Sequence, residues 1–161
     1  MSGGSVERVR AALLAAGHAD TIAAFPDGTR SAAEAAAAVG CTVAQIAKSI
    51  VFRAATPEGD RPALVIASGA NRVDMAKVSA VLMFHVKRAD GAWVRDTTGF
   101  AIGGVAPLAH VTPPLVLLDA DLFHHDRIWA AAGSPMHVFE TTPEALLRLC
   151  GGTRADVREA A

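Results

Sequence analysis

Apolar residues recur along the chain at two spacings, one typical of helices and one typical of strands. Near the beginning, Val6, Val9 and Leu13 follow one another at helical intervals with charged residues between them, which predicts an amphipathic helix over residues 5–17. Serine, threonine or aspartate marks the start of each later helix, and glycine often marks its end. These later helices are predicted at residues 31–39, 42–48, 75–82, 90–99 and 142–150.

Short runs of β-branched and other apolar residues predict the strands. They cover residues 21–25, 49–54, 63–68, 115–118, 127–132 and 137–140. The segment Thr56-Pro-Glu-Gly-Asp60 has the composition of a hairpin loop. Because helices and strands are mixed and several strands are close enough in sequence to form hairpins, the fold class is predicted to be α/β, of the α+β kind. We expect a single compact domain over residues 1–161, with a mixed, largely antiparallel sheet surrounded by helices.

Composition and charge narrow the classes of protein. The 161 residues are 52% hydrophobic and 19% charged, which excludes intrinsic disorder. Fifteen basic and sixteen acidic side chains give a formal net charge of −1, which argues against a coat for a polyanion but allows a small basic patch for one RNA end. Cys41 and Cys150 are far apart, so neither a disulfide framework nor a thiolate zinc site is expected. No long apolar run or secretory signal is visible, and a cytoplasmic location is expected.

Lys48 is the first candidate for chemistry, since lysine is scarce in this sequence. The pattern predicts that it ends a helix directly before an apolar strand. In that position it either complements the helix dipole or orients a carbonyl or phosphate at the mouth of the sheet.

A glycine-rich segment over residues 99–107, Gly-Phe-Ala-Ile-Gly-Gly-Val-Ala-Pro, is the second candidate; we call it the glycine loop. It matches neither a phosphate-binding P-loop nor a dinucleotide-binding fingerprint. It is either a tight connection or a backbone that approaches a ligand closely, because glycine lacks a Cβ. The turn Gly133-Ser134-Pro135 allows the same two interpretations, a plain turn or a hydroxyl that faces a ligand.

The histidines and basic residues give weaker signals. His124 and His125 lie beside two aspartates, but adjacent side chains point apart, so a surface turn is favoured and no metal or cofactor is expected. No motif of a serine hydrolase is present. Six basic residues of the middle third would hold phosphates if they shared a face, and otherwise are scattered on the surface. They are Arg53, Arg72, Lys77, Lys87, Arg88 and Arg95.

Four segments, taken in order and spacing, resemble the YbaK/ProX family. They are the lysine-bearing segment 41–53, the strand and helix at 63–77, the glycine loop with its Gly-Gly-x-x-Pro at 99–108, and the closing strands and helix at 127–150. The resemblance covers the chain from residue 5 to residue 158.

The resemblance implies a function. Members of this family are free-standing relatives of the editing domain of bacterial prolyl-tRNA synthetases, and they hydrolyse the ester that joins a wrong amino acid to tRNA. The chain is therefore expected to be a trans-editing aminoacyl-tRNA deacylase, a hydrolase that clears tRNA carrying a small amino acid. Its expected partners are the acceptor end of aminoacyl-tRNA and an aminoacyl-tRNA synthetase or elongation factor, with no membrane involved. The alternatives are a non-catalytic tRNA-end or nucleotide-binding module and a protein-interaction regulator.

The resemblance also implies the site residues. Lys48 matches the family's functional lysine and is the expected catalytic residue. The expected substrate-binding residues are Phe25, Ser49, Ile50, Ile102, Gly103, Gly104, Pro107 and Ser134. Among these, Gly103, Gly104 and Pro107 match the loop that lies against the aminoacyl end. Ala106 stands where many relatives have serine.

The expected mechanism needs no side-chain nucleophile. Water attacks the ester carbonyl with help from the terminal ribose hydroxyl of the tRNA. Lys48 and backbone amides near Ser49 and Gly104 hold the substrate and the developing oxyanion. Phe25, Ile50 and Ile102 are expected to wall a pocket that selects by side-chain size.

Overall fold

One mixed β-sheet forms the centre of the fold. The structure is a computed structural model, and it describes residues 2–28 and 31–160. Its strands are β1 (Ala23–Ala24), β2 (Ile46–Thr56), β3 (Gly59–Ser68), β4 (Val86–Arg88), β5 (Leu115–Asp119), β6 (Ile128–Ser134), β7 (His137–Thr141) and β8 (Thr153–Ala155). The α-helices are α1 (Ser2–Ala15), α2 (Ala32–Val39), α3 (Met75–Leu82), α4 (Gly91–Thr98) and α5 (Pro143–Cys150).

The strands run in the order β1-β7-β6-β2-β3-β5-β8, with β4 added beside β2. The longest pairing is the antiparallel hairpin of β2 and β3, and β6–β7, β1–β7 and β2–β4 are also antiparallel. The pairs β2–β6, β3–β5 and β5–β8 are parallel. The predicted fold class, with its mixed and largely antiparallel sheet, is confirmed.

Strand β2 has an interruption in its pairing that positions the site. On one side β3 accompanies it along its whole length. On the other side β6 pairs only with Ile46 and Ala47, and β4 pairs only with Phe52, Arg53 and Ala54. The four residues between them, 48–51, therefore have no strand neighbour on that side; we call this segment the open edge.

The two faces of β2 belong to different apolar clusters because side chains alternate along a strand. Ala47 and Val51 pack into the main core with Phe100 and Val105. Phe52 and Ala54 pack into a second core, against α3 and β4. Lys48 and Ile50 share the second face, whereas Ser49 shares the first, so the open edge presents different chemistry on its two sides.

The predicted helix starts and ends are well marked by capping. Ser31 Oγ accepts the N–H of Glu34 at the start of α2, and Gly40 ends that helix with φ of 78°. Asp74, Asp90 and Thr142 cap α3, α4 and α5 in the same way. These local signals explain why the helices lie close to their predicted bounds.

The prediction of a helix over residues 42–48 is wrong. The capping box of Thr42 and Gln45 forms, but it opens only a single 3-10 turn at Val43–Gln45, and β2 begins at Ile46. Pairing with β3 extends as far as Ala47 opposite Ser68, and this long hairpin outweighs the weak helix propensity of so short a segment. Lys48 therefore lies within a strand and not at a helix end.

Two short strands, β4 and β8, were not predicted. Both have three residues, too few for a periodic pattern, and each is fixed by a partner distant in sequence. Strand β6 continues beyond its predicted end, so Ser134 is the last residue of a strand and not the centre of a turn.

Candidate active site

A cavity of about 240 Å³ opens beside the open edge. Lys48 and Ser49 contribute from β2, and Ile102 and Gly103 contribute from the glycine loop. The structure thus brings together four predicted site residues from two distant segments. The rest of the lining comes from α2, β6 and their neighbours: Ser31, Ala32, Ala35, Ile46, Ala47, Val105, Trp129, Ala130, Ala131 and Val138.

The backbone of Ser49 points its polar groups toward this cavity. The carbonyl of Ile46 accepts the N–H of Gly69 at 2.7 Å, on the β3 side of β2. Because backbone groups alternate sides along a strand, the N–H and C=O of Ser49 and Val51 face the opposite side. Neither β6 nor β4 pairs with these two residues, so the open edge offers backbone donors and acceptors to a ligand.

The Ser49 hydroxyl is a second polar group available there. Its oxygen is buried and has no hydrogen-bond partner among the described residues. A buried hydroxyl without a partner costs free energy, about 1–3 kcal/mol, and such groups call for an explanation. A bound molecule that supplies the missing hydrogen bond would remove that cost.

Lys48 supplies the positive charge of the cavity. Its ammonium makes no hydrogen bond or ion pair with the described residues. Burial lowers the pKa of Lys48, the charge of Asp119 opposes this effect, and the charge of Arg72 adds to it. Asp119 is 1% exposed and is held in place by hydrogen bonds that its carboxylate accepts from Ser68 N and Asn71 Nδ2, at 3.0 and 2.9 Å. Lys48 is therefore a cation without a direct ion pair, held between a buried carboxylate and an open cavity.

The tip of the glycine loop forms the rim of the cavity. Gly104 N donates to Ala101 O at 3.0 Å, which closes a turn with Ile102 and Gly103 at its centre. Gly103 has φ of 93°, a conformation that this position of a type II turn requires and that glycine adopts without strain. Ile102 is 62% exposed, so an apolar side chain stands free at the mouth of the site.

Gly104 and Ser134 lie behind the cavity wall and contact each other. A Cβ on Gly104 would lie 2.7 Å from Ser134 Cα, so glycine allows the loop to approach β6. Ser134 is 2% exposed, and its Oγ accepts Met136 N and is hydrogen-bonded to His137 Nδ1 at 2.7 Å. Neither residue is among those that line the cavity, and the Ser134 hydroxyl is occupied within the β6–β7 turn.

The remaining predicted residues lie apart from the cavity lining. Ile50 lines a neighbouring cavity of about 240 Å³ together with Ser49, Ile102 and Gly103, and Pro107 lines a separate cavity with His110 and Cys150. The backbone N–H of Phe25 donates to Met136 O at 2.7 Å, beside the β6–β7 turn. These three residues are near the site in the fold, but the residues that wall the cavity in their place are Trp129, the alanines and Val105.

A groove on the other side of β2 shares Lys48 with the cavity. It has a volume of about 300 Å³ and an apolar floor, and it is lined by Lys48, Ile50, Phe52, Arg72, Val73, Met75, Arg88 and Glu159. Of the six basic residues singled out in the sequence, Arg72 and Arg88 meet here, and their side chains make no hydrogen bond or ion pair with the described residues. Arg53, Lys87 and Lys77 instead form ion pairs with aspartates. We call this feature the basic groove.

Sequence reasoning missed most of the cavity wall. The alanines of α2 fit a plain helix, and Ala130 and Ala131 fit a plain buried strand, because small apolar residues carry no chemical signal. The histidine pair lies at the end of a 3-10 turn, Ala120–His124. Within residues 2–28 and 31–160, no three histidine, cysteine or acidic side chains come close enough together to hold a metal ion.

Comparison with known protein families shows which family this chain belongs to. Residues 26–149 match the model of the aminoacyl-tRNA editing domain. The chain belongs to this family. Editing domains act on aminoacyl-tRNA, so the lysine-bearing cavity is the candidate active site for that class of substrate. No helix in the described part of this editing protein has both the length and the apolar character needed to cross a membrane.

Individual relatives agree with the family match. The chain is 30% identical over 142 residues to the uncharacterized protein YwhH of Bacillus subtilis (strain 168), which covers 88% of each protein. A solved structure of a candidate trans-editing enzyme for prolyl tRNA synthetase is 41% identical, with a TM-score of 0.89 over 97% of this chain and 98% of that one. The hypothetical protein APE2540 is 25% identical, with a TM-score of 0.85 over 94% and 99%. The predicted relationship to free-standing editing proteins is confirmed.

Proposed function

We propose that this editing protein is an aminoacyl-tRNA deacylase that hydrolyses the ester of tRNA mischarged with a small amino acid. The observation that carries the proposal is the open edge of β2, where an unpaired lysine and unpaired backbone amides border one cavity beneath the glycine loop. An ester carbonyl needs hydrogen-bond donors where negative charge develops during hydrolysis. The open edge has such donors, held rigidly by the β2–β3 hairpin.

The size of the cavity supports a small amino acid. Its volume of about 240 Å³ must hold the ester and part of the terminal ribose as well as the amino-acid side chain. Alanines line much of the wall, together with the larger apolar side chains of Trp129 and Ile46. A wall of this kind excludes large side chains by overlap, whereas it separates small side chains that differ by one methylene by only about 1–3 kcal/mol.

The reaction we propose is a water attack. A water oxygen adds to the ester carbonyl carbon, and the negative charge that forms on the carbonyl oxygen is held by the N–H of Ser49. The bond to the ribose oxygen then breaks, releasing the amino acid and the tRNA, while the proton lost by the water passes to the ribose oxygen. The neighbouring ribose hydroxyl relays this proton. Lys48 stabilises the charge from the side of the cavity, as a cation without a protein partner.

The serines at this site lack the partners that a serine hydrolase needs. Of the two serines that line the cavity, Ser31 uses its Oγ to cap α2, and Ser49 has no histidine beside it in the lining. Ser134 and His137 are hydrogen-bonded to each other within the β6–β7 turn, and Ser134 Oγ also accepts the N–H of Met136. Positioning and charge stabilisation are therefore the means that this site offers.

The basic groove gives the RNA a path to the cavity. Arg72 and Arg88 stand beside Lys48 without acidic partners in the described residues, except that Glu159 lines the same groove. Cations of this kind hold phosphates irrespective of sequence. The apolar floor offers Phe52 and Ile50 to a ribose or base. This arrangement supports the acceptor end of tRNA as the bound partner.

Deacylation of a panel of aminoacyl-tRNAs by the purified protein tests the proposal. We expect turnover of at least one tRNA carrying a small amino acid, and at least a tenfold loss in Lys48→Ala, about 1.4 kcal/mol of transition-state stabilisation. The matched control is Lys87→Ala, which removes an exposed lysine whose nearest acidic partner, Asp60, lies 3.9 Å away. A protein that binds the tRNA but turns over none of the panel is a binding module, and that result refutes the proposal.

A further inference from the structure

Helix α1 lies outside residues 26–149, which match the editing domain, yet it reaches the glycine loop. The Arg8 guanidinium donates to two backbone carbonyls: Nε to Ala109 O at 3.0 Å and Nη2 to Gly99 O at 3.2 Å. Gly99 is the first residue of the glycine loop, and Ala109 follows its last residue, Pro107, by two positions. A planar guanidinium can bridge two acceptors in this way because its donors are fixed in a fork.

The loop is closed at the same level by its own backbone. Val111 N donates to Thr98 O at 3.0 Å, and Thr112 N donates to Thr97 O at 2.9 Å. We call these two backbone hydrogen bonds the neck of the loop. Arg8 binds carbonyls next to the neck, and its Cζ lies 4.5 Å from the centre of the Phe100 ring. A cation over an aromatic ring adds attraction to the two hydrogen bonds.

His110 holds the returning half of the loop. Its Nε2 donates to Ala106 O at 2.6 Å, and its ring meets Phe100 edge-on, with 5.4 Å between ring centres. Nδ1 is buried and without a partner among the described residues. The carbonyls of residues 99, 106 and 109 are thus all bound by two side chains, Arg8 and His110, that are not among the residues lining the cavity.

We infer that Arg8 and His110 are positioning residues that set the height of the Ile102–Gly103 tip above the open edge of β2. The inference rests on the proposed function, because the tip is useful only if a substrate lies beneath it. We call these two side chains, with their hydrogen bonds to the carbonyls of residues 99, 106 and 109, the clamp. When the clamp is removed, the backbone hydrogen bonds of the neck still close the loop, but the tip is free to move away from Ser49. The expected defect is then in the chemical step more than in the fold.

Helix α1 also contacts the opposite wall of the site. A Cβ on Gly133 would lie 2.8 Å from Ser5 O, so the first turns of α1 pack directly on β6 beside Ser134. The same helix therefore contacts both the loop and the β6 wall. This placement explains why a segment outside the matched region would influence editing.

Hydrogen exchange of single amides tests the clamp without any substrate. In Arg8→Ala we expect the amide of Gly104, in the tip turn, to exchange at least tenfold faster, while the amides of Val111 in the neck and Leu64 in β3 are unchanged. Arg10→Ala is the matched control, since Arg10 is on the same helix and pairs with Glu7 and Asp20 instead of the loop. Loop exchange in Arg8→Ala equal to that in the control would overturn the inference.

Kinetics then separate positioning from general stability. We expect kcat to fall about tenfold in Arg8→Ala with KM nearly unchanged, and Arg8→Lys to recover part of it. His110→Gln, which keeps a donor toward Ala106 O, is expected to retain most of the activity, whereas His110→Ala is not. If Arg8→Ala fails to fold, Arg8→Lys, His110→Gln and His110→Ala still test the clamp. A kcat equal to that of the wild type in all three variants refutes it. If the wild-type protein hydrolyses no ester, the proposed function fails, and the exchange experiment alone decides on the clamp.

Discussion

Replacing Gly104 with alanine is a sharp test of how the glycine loop meets the sheet. The added Cβ would lie 2.7, 2.9 and 3.0 Å from Ser134 Cα, C and N. Ordinary carbon contacts are about 3.5–4.0 Å, so either the loop or β6 must move by several tenths of an ångström. The obstacle is backbone, and the Ser134–His137 hydrogen bond and the β6–β7 pairing hold it in place.

The magnitude follows from two opposing effects. Overpacking of a tight contact costs about 1–3 kcal/mol. Gly104 does not have a positive φ, so alanine also restricts the unfolded chain, which returns about 0.4–1 kcal/mol. The net loss is about 1–2 kcal/mol, and for a chain of this size it lowers Tm by about 2–8 °C.

Thermal unfolding and deacylation measured on one preparation check this prediction. Deacylation is expected to fall as well, because Gly103 is adjacent and lines the cavity. Gly4→Ala in α1 is the control: a Cβ there meets nothing within 4 Å, and alanine favours a helix, so Tm should stay level or rise. A Gly104→Ala protein that melts with the wild type would refute the reasoning from the close contact.

Three further predictions concern titration and chemistry. Burial lowers the pKa of Lys48 in the folded protein, so the unfolded chain binds that proton more tightly. The free energy of unfolding should therefore rise with pH as folded Lys48 loses its proton below pH 10.5. In urea unfolding, Lys48→Met should abolish this rise, and the same variant should have lower deacylation. Burial lowers the pKa of His110 below its usual 6.5, so the free energy of unfolding should fall as the pH drops below 6.5. If the free energy of unfolding of His110→Gln falls as much over the same pH range, His110 is not the group responsible. Deacylation should survive a chelator and the double change Cys41→Ser, Cys150→Ser, with some loss of stability because the half-buried Cys150 packs against the main core. Inactivation reversed by one metal would count against a metal-free site.

Local signals in the sequence were sufficient for the helices and for the choice of the main site residues. Capping side chains such as Ser31 and Asp74 act within three residues of themselves, so their effect is the same before and after folding. The hairpin at Thr56–Asp60 is equally local. Resemblance in the order of short motifs pointed to Lys48 and the glycine loop, because such motifs keep their spacing along the chain.

The tertiary structure alone decided how those residues are used. Lys48 lies in a strand because pairing with β3 extends beyond the local helix signal, and it borders a cavity because β6 and β4 leave the same four residues of β2 unpaired. Two adjacent glycines differ in role for the same kind of reason: Gly103 needs a positive φ, while Gly104 needs room beside a strand thirty residues away. Contacts between distant segments depend on where the whole sheet brings them, and no pattern within one segment records that.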